Sequence, residues 1–580
     1  MPATPTDKST APSDSDPQQD AAKLLDSDTS ATPYGVQALP DGEVSCEYHG
    51  PGAMISICSK SAVTWVCQKA GNADFERITA NFASAISRRL KVDLSQLRER
   101  IPEPPQAVAW SYCQAYFNSG SGLWFQSLNQ AAFEARLASH FRDDSPGIGH
   151  DPSWYALRNI VYATGCRSLK SKQVSADSHD MQRQSWSYFC NAMSVYTDLL
   201  FSHTGLSSVQ ALTLMSAFIE GIACPSLEFM LSSSALRLAE SKGLHRGLSS
   251  TCLEKTTDIQ AASHTWWAIY THHCVIVARS GRSLQIDDNA ITCPLPTQHP
   301  GDSWSQHATI IAMAKHARIL ASVIKTLNVI RASRSMSATT FTMIQELDDR
   351  LREWRSGFPS FVQMDPLPAG VALPKGVHQE HCLYLVYSYY ATLIQIHSIV
   401  MSPWNAVYQD SATLDPSLRP QIFRSASIVA EASRKIIAQL RHMTVGLGTL
   451  KWAVLVYPMI AMIHLFIYIL DNPSLPSVDA DISIMHEAAA HFSFLEYRLG
   501  KVLSLPFPRD LANLIRVVVA DHRESSSLRV TGMECGSFDL EPGFEGQQND
   551  LPELGNLETA DWDALIPWEE VLDGLDGCDM

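Results

Sequence analysis

The chain is 580 residues long, 45% hydrophobic and 18% charged, with a formal net charge of −16. That is apolar material for one very large folded unit or two to three smaller ones, and it excludes the strongly basic field of a surface that grips DNA unaided. Thirteen cysteines stand singly, with no Cys-x-x-Cys pair and no secretory leader, which argues for a reducing compartment.

Residues 1–43 are rich in Pro, Ser, Thr, Asp and Gln and poor in large apolar side chains, the composition of a disordered segment. A lead-in segment follows over 44–100 and is expected to pack on the helical body. It opens with Tyr48, Gly50-Pro51 and Trp65 and continues as a helix from about Asp74 to Leu90. Arg88, Arg89 and Lys91 form part of its basic patch; this reads as a solvated helix face, with a nuclear import signal as the alternative. Pro102 to Pro105 then punctuates the chain, and 101–525 reads as a helical body. Two helices flank a Gly-Ser turn after Val108, with further buried helices at Trp154–Cys166, Ser185–Leu200 and Ser207–Ile222.

The most informative stretch runs from Ser234 to Pro296. Ala235, Leu236, Leu238 and Ala239 form a helical stripe, and Gly243 terminates it in the left-handed conformation. Leu244 folds back onto the last turn, and His245 and Arg246 sit where the helix dipole favours cations. A more apolar helix, Ala261 to about Ala278, carries Trp266, Trp267 and Tyr270. It breaks at Ser280-Gly281-Arg282, and an extended segment passes Ile286-Asp287 to reach Leu295-Pro296. Arg282 either binds an anion or ties its loop to backbone carbonyls.

Beyond Pro300, helices are expected at Ser305–Ser333, Ala338–Trp354, His381–Val400, Ile422–Leu440, Ala488–Leu503 and Leu511–Ala520. Trp452–Leu470 is apolar apart from His464 and approaches the length that spans a bilayer. Pro458 and His464 inside it, and one flanking Lys451, favour a buried bundle helix over a membrane span. His486 and His491 are five residues apart, about 140° around a helix, where a metalloprotease pair needs four. No nucleophile elbow, phosphate loop or nucleotide fingerprint appears, so no catalytic, cofactor or metal site is expected.

The segment 526–580 is an acidic-hydrophobic tail. From Glu534 onward it holds fourteen acidic residues and no Lys or Arg, which leaves the rest of the chain near −2. Trp562, Leu565 and Ile566 share one helical face, and Trp568 with Leu572 another. Repulsion among the carboxylates keeps these side chains exposed until a partner groove buries them, which suits an activation segment.

The order Gly243-Leu244-His245-Arg246, Trp266-Trp267 with Tyr270, Gly281-Arg282, Asp287 and Leu295-Pro296 resembles the middle regulatory domain of fungal zinc-cluster transcription factors. Tyr116-Phe117, Leu347 with Leu351 and Trp354, and Tyr387 with Leu393 and His397 are similar to further elements of that family. His273, His264 and Ser283 depart from its pattern, where an Asp, an Arg and a Pro are usual. The resemblance implies an all-α fold, a nuclear regulator of a metabolic or specialised-metabolite gene cluster, and a dimer with itself or related factors, while the tail implies coactivators as partners. The resemblance also implies a small-molecule effector. Cys46, Cys58 and Cys67 are the cysteines of the first hundred residues, too few for the family's six-cysteine zinc cluster, so DNA contact is expected through a partner or through a zinc module missing at the N-terminus. The alternative is a module that pairs with related factors and inhibits them.

Overall fold

The computed structural model describes residues 49–533, except 72, 88–99, 119–126, 143–150, 172–177, 203–204, 221–224, 248–255, 299–302, 364–371, 406, 409–414, 443–454 and 499–504. Among the described residues there are α-helices and short 3-10 turns and no strands, as the absence of period-two alternation predicts. The lead-in helices are α1 (Lys60–Ala70) and α2 (Asp74–Ser87). The first layer is built from α3 (Gln106–Phe117), α4 (Gln130–Arg142), α5 (Pro152–Ser171), α6 (Ser178–Met193), α7 (Tyr196–Phe201) and α8 (Leu206–Glu220). The middle holds α9 (Pro225–Ser241), α10 (Thr256–Ser280), α11 (Trp304–Ser333), α12 (Ala338–Ser356) and α13 (Gln379–Ser398). The array closes with α14 (Arg419–Ala438), α15 (Tyr457–Asp471), α16 (Val478–Arg498) and α17 (Phe507–Met533).

Neighbours in sequence are mostly neighbours in space: α8 packs on α9, α9 on α10, α10 on α11, and so on to α16 on α17. The helix starts show local reasons. Ser303 accepts the Gln306 N–H at 3.1 Å, and Ser337 makes a reciprocal box with Thr340, so donors without intrahelical partners are satisfied. α15 is buried from Tyr457 to Leu470, and Pro458 sits in its first turn, where no N–H is needed. No helix among the described residues is long and apolar enough to cross a membrane.

The largest differences from the sequence reading are at three boundaries. The expected helix Ser185–Leu200 is broken at Ser194-Val195 into α6 and α7. α16 begins at Val478, ahead of Ala488, because Asp479 and Asp481 favour its N-terminus and Arg434 grips the Asp481 carboxylate at 2.6 and 2.8 Å. α17 runs past Ala520 to Met533; residues 521–525 are exposed and polar, so the helix outlives its apolar stripe. Periodicity reports which face is buried, and a solvated turn leaves no such mark.

Among the contacts that skip the sequential order, one set joins the lead-in segment to the end of the array. Phe75 stacks on Phe466 of α15 at 5.7 Å between centroids, and Phe82 on Phe507 of α17 at 4.0 Å. Trp65 donates its indole N–H to the Tyr408 hydroxyl at 2.8 Å. Ahead of α1, the backbone at Gly50 crosses the loop that ends α10: the Gly50 N–H donates to Ser280 O at 3.0 Å. A Cβ on Gly50 would lie 1.9 Å from the Gly281 carbonyl oxygen, and one on Gly281 would lie 2.4 Å from the Gly50 carbonyl carbon. Gly281 also has φ +67°, a conformation side chains resist. Gly50→Ala and Gly281→Ala are each expected to cost more than about 2 kcal/mol in a urea unfolding titration, since neither backbone can retreat without tearing the crossing. Gly205→Ala, at a glycine with open space around it, is expected to be neutral.

Candidate functional site

The motif residues converge on α10 and the two turns that bracket it. Gly243 adopts φ 71° after α9, as its role of terminator requires, and Leu244 is buried behind it. The His245 carbonyl accepts the N–H groups of Thr292 and Cys293, both at 2.9 Å, and the Arg246 carbonyl accepts the Thr292 hydroxyl at 2.8 Å. The turn after α9 thus holds the extended segment as a strand edge would. From the other side, Trp267 donates its indole N–H to Pro294 O at 2.8 Å. Tyr270 donates to Asp288 at 2.8 Å, and Arg318 of α11 grips the same carboxylate. Asp287 caps the Asn289 N–H at 3.0 Å. Trp266 is fully buried between Tyr270, stacked at 5.7 Å, and the His245 ring. These residues form a clamp that fixes the 286–297 segment along α10; they do not assemble a reacting centre.

The departures from the family pattern find other work. His264 reaches Thr297 O at 3.0 Å, and His273 reaches the Ser232 hydroxyl of α9 at 3.2 Å. His272, one position away, points to α8 and the Ser216 hydroxyl at 3.0 Å. Arg282 lies over the Phe229 ring, 4.3 Å from its centroid, a cation–π contact that neither sequence alternative named. Arg88, Arg89 and Lys91, and Trp562, Leu565, Ile566, Trp568 and Leu572 of the tail, lie outside the described residues.

Two buried ionic clusters were not legible in the sequence. In the first, Arg279 at the end of α10 pairs with Glu220, the last residue of α8, and with Glu228 in the first turn of α9; all three are nearly inaccessible. Burial pushes the Glu228 carboxyl up, against the pull of Arg279 and with the help of Glu220. Glu220, Glu228 and His272 bring three metal-capable atoms within 4.8 Å of one another. The Arg279 guanidinium already occupies both carboxylates there, so a cation would have to displace a buried countercharge. The arrangement is an ion-pair junction tying three helices together. In the second cluster, Asp348 of α12 is fully buried, gripped by Arg352 at 2.8 and 2.9 Å and faced by His397 of α13 at 3.5 Å. Burial alone would raise the Asp348 carboxyl, but the His397 and Arg352 contacts outweigh it and hold it at about 2.

A cavity of about 50 Å³ lies next to the first cluster, between α10, α11, α13 and α15. Residues Pro51 to Met54 and Trp404 cover it, with Trp404 donating to Pro51 O at 3.1 Å. His464 of α15 lines it, as do Gln395 and Ala391 of α13 and Leu320 of α11.

Residues 114–357 match the model of the fungal specific transcription factor domain. The chain carries a fungal specific transcription factor domain. The clamp and both ends of the ion-pair junction fall inside that match, while α13 to α17 lie beyond it. The chain is 27% identical to an ABC-transporter-regulating transcription factor of Aspergillus fumigatus, over 85% of this chain and 53% of that protein. A protein of the same description from Aspergillus oryzae is 26% identical, over 85% of this chain and 54% of its own length. The fusaridione A cluster transcription factor of Fusarium heterosporum is 24% identical, over 77% of this chain and 84% of that one. The chain spans about half the length of the two Aspergillus relatives. No solved structure is matched.

The buried histidines of the helical body set a pH dependence. Desolvation lowers His272, His273 and His316 to about 3 and His464 to about 4, from 6.5. Their unfolded forms bind protons first, so the stability they contribute is complete above pH 6.5 and falls as pH drops from there towards 4. Below pH 4 the Asp348 carboxyl adds a further loss, because its folded value is depressed below 3.8. Melting temperature measured from pH 7.5 to 4 is expected to stay level down to about 6.5 and then to fall, most steeply below 6. Arg279→Ala strands two buried carboxylates and is expected to cost about 3–5 kcal/mol in chemical denaturation at pH 7.

Proposed function

We propose that the chain is a fungal transcriptional regulator in which the helical body serves association and sensing and the acidic tail recruits coactivators. The observation that carries this reading is the fungal transcription factor domain, together with relatives named as transcription factors whose similarity extends over most of the chain. The names of those relatives, one set regulating ABC transporters and one a fusaridione A cluster, support a metabolic or specialised-metabolite gene set as the target. Nuclear action follows from the same reading, with Arg88, Arg89 and Lys91 as the import patch. DNA contact comes through a partner, either a second copy of the chain or a related factor, or through a zinc module beyond this sequence.

The tail reading rests on chemistry alone. Repulsion among fourteen carboxylates would keep Trp562 and Trp568 available, and a short helix formed on a coactivator groove would bury one aromatic face at a time. Residues 530–580 fused to a foreign DNA-binding domain are expected to activate a reporter. Trp562→Ala with Trp568→Ala is expected to lower that activity about tenfold or more, the scale of losing one or two interface anchors. An inert tail, in a chain that still pulls down a related factor, would favour the alternative of an inhibitory partner.

A further inference from the structure

We propose that the cavity beneath Pro51–Met54 is a binding site for a small, uncharged, largely apolar molecule bearing a hydroxyl or N–H group. The proposal gives a chemical class to the effector of the regulatory reading, but its test is binding to the purified chain. A failed reporter assay therefore leaves it standing, and absent binding leaves the regulator standing.

The lining decides the chemistry. Ile460 and Ile463 of α15, Leu320 of α11 and Met54 of the roof supply apolar walls. Polar groups interrupt them, and two of these are acceptors. His464 places its Nδ1 at 2.9 Å from the Ile460 carbonyl of its own helix, an atom that can only accept, so Nδ1 carries the proton. Burial keeps the ring neutral, and Nε2 is then a lone-pair acceptor on a residue that lines the cavity. Gln395 donates its amide N–H to Ala278 O at 3.0 Å, which leaves its side-chain oxygen as the second acceptor. A ligand that fits must bring a donor. The charged groups of the lining are already engaged: Arg331 donates to the Asn405 and Asn328 side-chain oxygens at 3.4 and 3.1 Å. His316 is neutral and held by the Thr392 hydroxyl at 3.0 Å, and Arg279 is already matched by Glu220 and Glu228.

Size couples the site to the lead-in segment. A cavity of about 50 Å³ takes a few waters, whereas benzene is held by an engineered apolar cavity of about 150 Å³. An aromatic guest therefore has to lift the roof. Its hold is local: Trp404 on Pro51, and the Gly50 crossing just ahead of it. Between those points and α1 the roof presents Met54, a side chain with three rotatable bonds that refills space easily. Occupancy would push on the same few residues that join residues 1–48 to the body.

Phenol, toluene and benzoate titrated into the full chain test this, by calorimetry and by the methyl spectrum of ¹³C-methionine-labelled protein. Phenol is expected to bind saturably and to shift the Met54 methyl signal, assigned through Met54→Leu. Toluene is expected to bind about tenfold more weakly, the worth of one hydrogen bond, and benzoate not at all. His464→Phe is expected to erase the preference for phenol over toluene, and Ala391→Leu, which fills the cavity from α13, to abolish both. No saturable phenol binding, an unmoved Met54 signal, tighter binding of benzoate, or unchanged phenol binding in Ala391→Leu would each overturn the proposal. The methyl readout uses the unaltered cavity, so it decides the matter even if Ala391→Leu does not fold.

Discussion

Two glycines in backbone contact, Gly50 and Gly281, set the relation between the start of the described chain and its middle. Nothing larger than hydrogen fits at either position, because each would drive a Cβ into the other's peptide group. The crossing brings His49 beside Arg282 and lays Pro51 to Met54 over the ends of α10 and α13. From there the chain is committed to α1 and α2, whose aromatic rings stack on α15 and α17. An array of helices in which most pack on a sequence neighbour is thereby closed by its own first segment. The closure spans hundreds of residues, so its entropic cost is met by burying Phe75, Phe82 and Trp65 together.

Inside that frame the polar interior is arranged at helix ends. Arg279 ends α10, Glu220 ends α8 and Glu228 begins α9, so three termini meet at one guanidinium. Asp348, Arg352 and His397 do the same for the faces of α12 and α13. Such clusters contribute little net stability, but removing one member is costly, so they favour one register of packing over its neighbours. The cavity sits beside the first cluster and under the crossing. It is the place where a small change in occupancy would meet both.

Much of this was readable in residues that speak locally. The Gly243 terminator, the stripe of α9 and the aromatic face of α10 follow from spacing, and the family resemblance follows from their order. The apolar run of Trp452–Leu470 was separable from a membrane span by Pro458 and His464 inside it. What escaped the sequence is non-local or solvated. Glu220, Glu228 and Arg279 lie on three helices, and none carries a sign that it will be buried. Gly50 gives no hint of its meeting with Gly281. The far half of α17 is helical without an apolar stripe, and α16 starts where two aspartates favour a helix N-terminus ahead of any hydrophobic pattern.

Native-state hydrogen exchange on the full chain tests the closure most directly. The account predicts that the core amides of α1, α10 and α15 exchange only through one shared opening, with the same free energy and the same denaturant dependence. Exchange of α1 through a separate, lower-energy opening while α10 and α15 stay protected would contradict it, because the lead-in segment would then be an appendage and not the piece that closes the array.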